Sequence, residues 1–252
     1  MPRLCLLGLL LFTASVTVLA DPLRVAVASN FLMPAKELAA RFEKTSGQAV
    51  TLSAGSTGKL YAQIVHGAPF SVFLAANATE PQRLEAEGLA VTGSRFTYAT
   101  GRLVLWSLDP DLLKAVDGAD LIRRGDFDRL AIANPKTAPY GAAAVQTLRA
   151  LGLAPARLGP RVVRGENVSQ TYQFVATGNV DLGFVALSQV SNPERPAQGS
   201  YWLVPEDLHE PIEQQAVLLA RAAEDNQAKA FLAYLRSPAA RELIAAYGYG
   251  AD

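Results

Sequence analysis

The sequence predicts an α/β protein built from parallel strands with helices on both faces, in two lobes. Three observations carry this. Short apolar runs alternate with segments of helical spacing from residue 23 onward, and a β-α-β-α-β-α order calls for a parallel sheet. The chain of 252 residues is half apolar and only 18% charged, which excludes a disordered chain and leaves ample side chains for buried cores. The alternation then repeats with different lengths, and two lobes fit that length better than one large sheet. We place lobe I at residues 21–101 plus 208–252 and lobe II at 102–207, the last strand and helices returning to the first lobe.

The elements follow in order. Leu23–Ala28 is an apolar strand. Asn30 reads as a helix N-cap, with Pro34 in the first turn, where its missing N–H costs nothing. Leu38, Ala39 and Phe42 keep helical spacing up to Gly47, a natural C′ residue. Ala49–Ser53 and Ser71–Ala75 are the next strands, with a helix over Gly58–Gly67 between them and another from Thr79 to Gly88. Further strands are predicted over Leu103–Ser107, Leu130–Ala133, Arg161–Val163, Leu182–Val185 and Gln214–Ala220. Helices are predicted over Gly141–Leu151, Val168–Thr177, Asp225–Leu235 and Pro238–Tyr247.

The first twenty residues read as an export signal. Arg3 gives the positive start, Leu4–Leu11 the apolar core, and Val18-Leu19-Ala20 the small-residue end before Asp21-Pro22. The apolar stretch falls short of the roughly 20 residues of a membrane span, and no basic cluster follows it. Cleavage after Ala20 would remove Cys5, the only cysteine, and leave an exported soluble chain with one negative charge in excess.

Charge and soft-ligand content exclude several functions. With 23 basic and 23 acidic residues there is no cationic excess to neutralise phosphates, so nucleic acid is not an expected partner. One Cys and two His make neither a Cys-rich zinc site nor a disulfide framework. Ser53-Ala-Gly-Ser-Thr-Gly-Lys59 has a phosphate-loop look, but its first position is Ser rather than Gly and Leu60 follows the Lys. Ser56 lacks the Gly-x-Ser-x-Gly frame of a nucleophile elbow, having Gly55 directly before it. His66 and His209 carry no triad motif and read as surface residues, as do the pairs Glu85/Glu87 and Asp126/Asp128. Nothing here supports an enzyme.

The positive signal lies at strand-to-helix junctions: Ser29-Asn30, Gly55-Ser-Thr-Gly58, Pro139-Tyr-Gly141 and Glu166-Asn-Val-Ser169. Each offers free backbone N–H groups at the positive end of a helix, most with a hydroxyl or amide beside them. In open α/β sheets such junctions gather at the carboxyl ends of the strands. Four of them around one cleft would suit a small tetrahedral oxyanion held by neutral donors. Taken singly, each is an ordinary cap. Tyr140, an unusual residue at a helix start, reads either as a phenol aimed across the cleft or as a packed core aromatic.

Val27-Ala-Ser-Asn-Phe-Leu32, Gly55-Ser-Thr-Gly-Lys-Leu-Tyr-Ala-Gln-Ile64, Gly67-Ala-Pro-Phe-Ser-Val-Phe-Leu-Ala-Ala76 and Ala133-Asn-Pro-Lys-Thr-Ala-Pro-Tyr-Gly141 resemble segments of the periplasmic molybdate-binding proteins of ABC importers. So do Gly93–Ser107, Asp181–Ser188 and Glu210–Ala216, so the likeness runs through essentially the whole mature chain. It implies a type II periplasmic-binding-protein fold: two lobes joined by a hinge, each a mixed, mostly parallel sheet flanked by helices, with molybdate or tungstate in the cleft between them. It implies no cofactor, a membrane permease as partner, and a monomer in the periplasm. Carried over by position, the ligand donors fall on Ser29, Asn30, Thr57, Tyr140 and Val168, with Ser56 beside them. The tyrosine that some members place in a Gly-Ile-Val-Tyr stretch is here Ala186, and Tyr140 stands in for it as in another branch; Ser71 replaces the family's usual Asp. Another oxyanion, such as sulfate or phosphate, is the alternative ligand, and an exported hydrolase the alternative class.

Overall fold

The computed structural model describes residues 21–250. The predicted signal segment, with Cys5, lies outside the described residues. No helix among the described residues is long and apolar enough to cross a membrane.

The strands are β1 (Leu23–Ala28), β2 (Val50–Gly55), β3 (Val72–Leu74), β4 (Phe96–Gly101), β5 (Leu103–Ser107), β6 (Leu130–Ala133), β7 (Val162–Gly165), β8 (Leu182–Ala186), β9 (Ser200–Leu203) and β10 (Ile212–Leu218). They form two five-stranded sheets, ordered β2-β1-β3-β10-β4 and β7-β6-β8-β5-β9. In the first, β1 pairs parallel with β2 and β3, while β10 runs antiparallel between β3 and β4. In the second, β6 pairs parallel with β7 and β8, while β5 runs antiparallel between β8 and β9. Each sheet is thus mixed and mostly parallel in strand direction, with one inverted strand inserted. Both inverted strands directly follow a passage of the chain from one sheet to the other.

The helices are α1 (Leu32–Ser46), α2 (Thr57–Val65), α3 (Thr79–Ala86), α4 (Leu112–Ala115), α5 (Gly118–Arg124), α6 (Pro139–Ala150), α7 (Pro155–Leu158), α8 (Val168–Ala176), α9 (Leu187–Val190), α10 (Asn226–Leu235) and α11 (Pro238–Ala246). The first sheet is buried on both faces. Val25 and Val27 point to a core shared with Phe31, Leu38, Phe231 and Leu243, whereas Ala26 and Phe73 point to a second core with Leu60, Ile64 and Leu84. The second sheet packs into one larger cluster around Trp106, whose ring stacks on Tyr172 at 4.7 Å.

Four differences from the sequence reading have physical causes. The strands β4 and β9 were not predicted. Both are edge strands, which need only one well-packed face and so carry polar residues such as Thr97, Thr100 and Ser200. The short helices α4, α5, α7 and α9 span too few residues to display a helical period. Asn30 is not an N-cap. It sits inside a 3-10 turn over Ser29–Phe31 that precedes α1, and its buried side chain points inward. Finally, His66 is exposed as expected, but His209 is half-buried, with its Nδ1 2.7 Å from the Glu210 carbonyl.

Candidate functional site

The four junctions singled out in the sequence meet in one place. Ala28 to Asn30 follow β1, Gly55 to Thr57 join β2 to α2, Ala138 to Tyr140 open α6, and Val168 opens α8; with Ala76 they line a small cavity between the two sheets. Its volume is about 10 Å³, far below the roughly 300–1,000 Å³ of a site for a drug-sized molecule. No charged side chain lines it. It suits one small ion.

The donors are local consequences of where helices start. Thr57, Tyr140 and Val168 occupy the first two positions of α2, α6 and α8, where a backbone N–H has no partner within its helix. Pro139 at the first position of α6 presets the turn that presents the Tyr140 N–H. Asn167 caps α8 by accepting from the Gln170 N–H at 3.0 Å, so its side chain is committed and the Val168 N–H is left open. The approach of α6 to the end of β6 requires glycine at 141: a Cβ there would lie 2.3 Å from the Ala133 carbonyl oxygen.

Two hydroxyls differ in what they have left to give. The Thr57 Oγ1 accepts from the Ala76 N–H at 3.0 Å, which keeps its own proton for a further acceptor. Ser56 is only 3% exposed, yet its Oγ has no hydrogen-bond partner. A buried unpaired hydroxyl is costly, and one on a cavity wall points to an absent acceptor. Ser29 is also buried beside them.

The Tyr140 phenol is placed differently from a donor reaching freely across a cleft. It accepts from Gln214 Nε2 at 3.2 Å and presses on Gly101, where a Cβ would sit 2.3 Å from the phenol oxygen. What Tyr140 presents at the helix start is its N–H. Its side chain belongs to a buried polar cluster behind the cavity. Burial, reinforced by the nearby Tyr249 and Tyr98 phenols, pushes the Tyr140 pKa well above the usual value, against a smaller opposing pull from the Gln214 and Asn30 amides.

The two halves of the cavity are held together. The Gly58 N–H donates to the Thr137 carbonyl at 2.9 Å, Ser169 Oγ to the Ser29 carbonyl at 3.1 Å, and Ser188 Oγ to the Asn30 carbonyl at 3.0 Å. Lys59 and Glu166 form an ion pair across the rim, both about half exposed. Among the described residues no group of three or more His, Cys, Asp or Glu is arranged to hold a metal ion. All these features describe a closed cleft around a site of neutral donors.

A sequence profile of bacterial extracellular solute-binding proteins matches residues 23–250, nearly the whole described chain. The chain belongs to this family. Two relatives of this solute-binding protein are named as molybdate-binding proteins. One, from Azotobacter vinelandii, is 52% identical over 231 residues, covering 92% of this chain and 90% of its own; the other, from Rhodobacter capsulatus, is 50% identical over 224 residues, covering 89% and 86%. The solved structure of the Azotobacter vinelandii periplasmic molybdate-binding protein superposes with a TM-score of 0.87 at 42% identity, covering 91% of this chain and 99% of that one. Members of the family bind solutes and do not transform them, so this solute-binding protein is not an enzyme.

The sequence reading missed Gln214, Tyr249 and Ser188, which surround Asn30 from behind. One signal was available: Glu213-Gln214-Gln215 breaks the apolar run of this strand, and the two amides, buried there, need partners.

Proposed function

We propose that this chain captures molybdate in the periplasm and delivers it to the membrane permease of an ABC importer. The observation that carries this is the convergence of open helix N-termini and hydroxyls on a small cavity without charged side chains, with the unpartnered Ser56 Oγ in its wall. The names of the two half-identical relatives support the choice of anion. Ser29, Asn30, Thr57, Tyr140 and Val168 supply the donors, Tyr140 and Val168 through their N–H groups, and Ser56 adds its hydroxyl. Hydrogen bonds to a charged group are worth roughly 1.5–3 kcal/mol each, so several neutral donors suffice for a doubly charged anion.

Tungstate, with the same shape and charge, binds as well. Sulfate is smaller, and a ring of donors fixed on helix ends leaves gaps around it, so it binds weakly. Residues 1–20 act as a cleaved export signal, and the mature protein works as a monomer. Lobe I comprises 21–101 and 208–252 and lobe II 102–207, with the passages near Gly101-Arg102 and residue 208 as the hinge.

Isothermal titration with molybdate, tungstate, sulfate and phosphate tests this. The expected result is tight one-to-one binding of the first two and weak or no binding of the others. Absence of molybdate binding, or equal binding of sulfate, would overturn the reading.

A further inference from the structure

Behind the cavity lies a cluster of six polar side chains, Asn30, Tyr98, Tyr140, Ser188, Gln214 and Tyr249, each 7% exposed or less. They come from six separate parts of the chain. Asn30 follows β1, Tyr98 lies on β4, Gln214 on β10 and Tyr249 beyond α11; Tyr140 and Ser188 start α6 and α9, which pack on the other sheet.

Their hydrogen bonds have a direction. Asn30 Nδ2 donates to Gln214 Oε1 at 2.8 Å and to the Tyr249 hydroxyl at 3.0 Å, which uses both amide hydrogens. The Asn30 carbonyl lies within reach of two hydroxyl donors, Ser188 Oγ at 3.0 Å and the Tyr249 hydroxyl at 2.9 Å. Tyr249 also lies 3.0 Å from Ser188 Oγ. Gln214 in turn accepts from the Tyr98 hydroxyl at 3.1 Å and donates to Tyr140. Tyr98 can reach because it is the unpaired residue of a β-bulge: Gln214 is in register with Ala99 and Gln215 with Thr97.

Asn30 therefore has its side-chain amide and its carbonyl fixed from behind. Its own N–H, in the first turn of the 3-10 segment, is what remains for the cavity. We propose that Gln214 and Tyr249 are positioning residues for the anion site: by holding the Asn30 side chain and carbonyl they fix the Asn30 α-carbon, and through it the direction of the adjoining N–H toward the ligand, and Tyr140 and Ser188 make that fixing complete only when the two lobes are closed. This rests on the functional reading above and adds to it a route by which lobe closure sharpens the site.

Tyr249→Phe tests it. The ring is retained, with its edge contact on Phe31 at 5.4 Å, and only the hydroxyl is lost. Titration of the mature protein with molybdate should show a Kd raised about tenfold, the effect of one net hydrogen bond, together with a lowered melting temperature from the buried Asn30 amide hydrogen left unpaired. Ser188→Ala removes one donor to the Asn30 carbonyl and serves as the second variant should the first fold poorly; its Kd should rise similarly. Because the hydroxyls act as one unit, the double variant should be no weaker than about the worse single variant. An unchanged Kd with a lowered melting temperature would reduce these residues to core packing and overturn the proposal. Fully additive losses would overturn it too, since the hydroxyls would then act separately. Failure of the wild type to bind molybdate would overturn the functional reading and this inference with it, whereas wild-type binding matched by both variants would remove the positioning role alone.

Discussion

Ser56 and Thr57 are neighbours with opposite accounts. Thr57 is anchored through Ala76, whereas the Ser56 hydroxyl is buried and unpaired. Replacing Ser56 by Ala breaks no hydrogen bond to another residue. The unliganded melting temperature should therefore hold, while molybdate affinity falls by about 1.5–3 kcal/mol, the worth of a hydrogen bond to a charged acceptor; titration and thermal unfolding of the same sample check both halves. Residue-scale reading of the sequence singled out the junctions that line the cavity, left Tyr140 open between two placements, and misjudged the side chain of Asn30. Cap preference is a local rule, and it favoured Asn30 as a cap; the partners that turn its amide inward are 184 and 219 residues away. Tyr140 was legible as an unusual helix-start residue. Its phenol's acceptance from Gln214 depends on a strand that reaches it only through the tertiary fold.

Among the elements, α8 depends most visibly on a single cap. Asn167→Ala frees the Gln170 N–H and should cost about 1 kcal/mol, read as a lower melting temperature. It should also weaken molybdate binding, because the same turn presents the Val168 N–H. Within the core of the second sheet, Trp106 is 1% exposed and stacked on Tyr172, so Trp106→Ala should cost about 3–5 kcal/mol in denaturant unfolding. The central strands of both sheets were legible because burial on two faces demands a continuous apolar run. The edge strands β4 and β9 were not, since one covered face leaves room for Thr and Ser, and their assignment comes from pairing with β10 and β5.

At the scale of the whole molecule, the groups with the strongest upward pKa shifts are the buried phenols Tyr98, Tyr140 and Tyr249, raised by burial. Unfolded tyrosine titrates near 10, so above about pH 10 the native state holds protons that the unfolded chain releases. Their contribution to stability is constant at lower pH and declines as pH rises past about 10. Melting temperatures measured from pH 7 to 11 should show that late fall; a decline centred near pH 8 would contradict it. The rim ion pair Lys59–Glu166 is half exposed on both sides. Lys59→Ala should change molybdate affinity by less than about 1 kcal/mol, with the difference vanishing in high salt. The inverted strand β10 has a different kind of consequence. It lies between β3 and β4, so the first sheet is interrupted until residue 218 is available, whereas every strand of the second sheet lies between residues 103 and 203. A chain released from its amino terminus onward completes its second-built half first. Strands β3 and β4 must wait, unpaired on one side, for residues 212–218 to arrive, which makes that interval the time when they most need shielding from premature association.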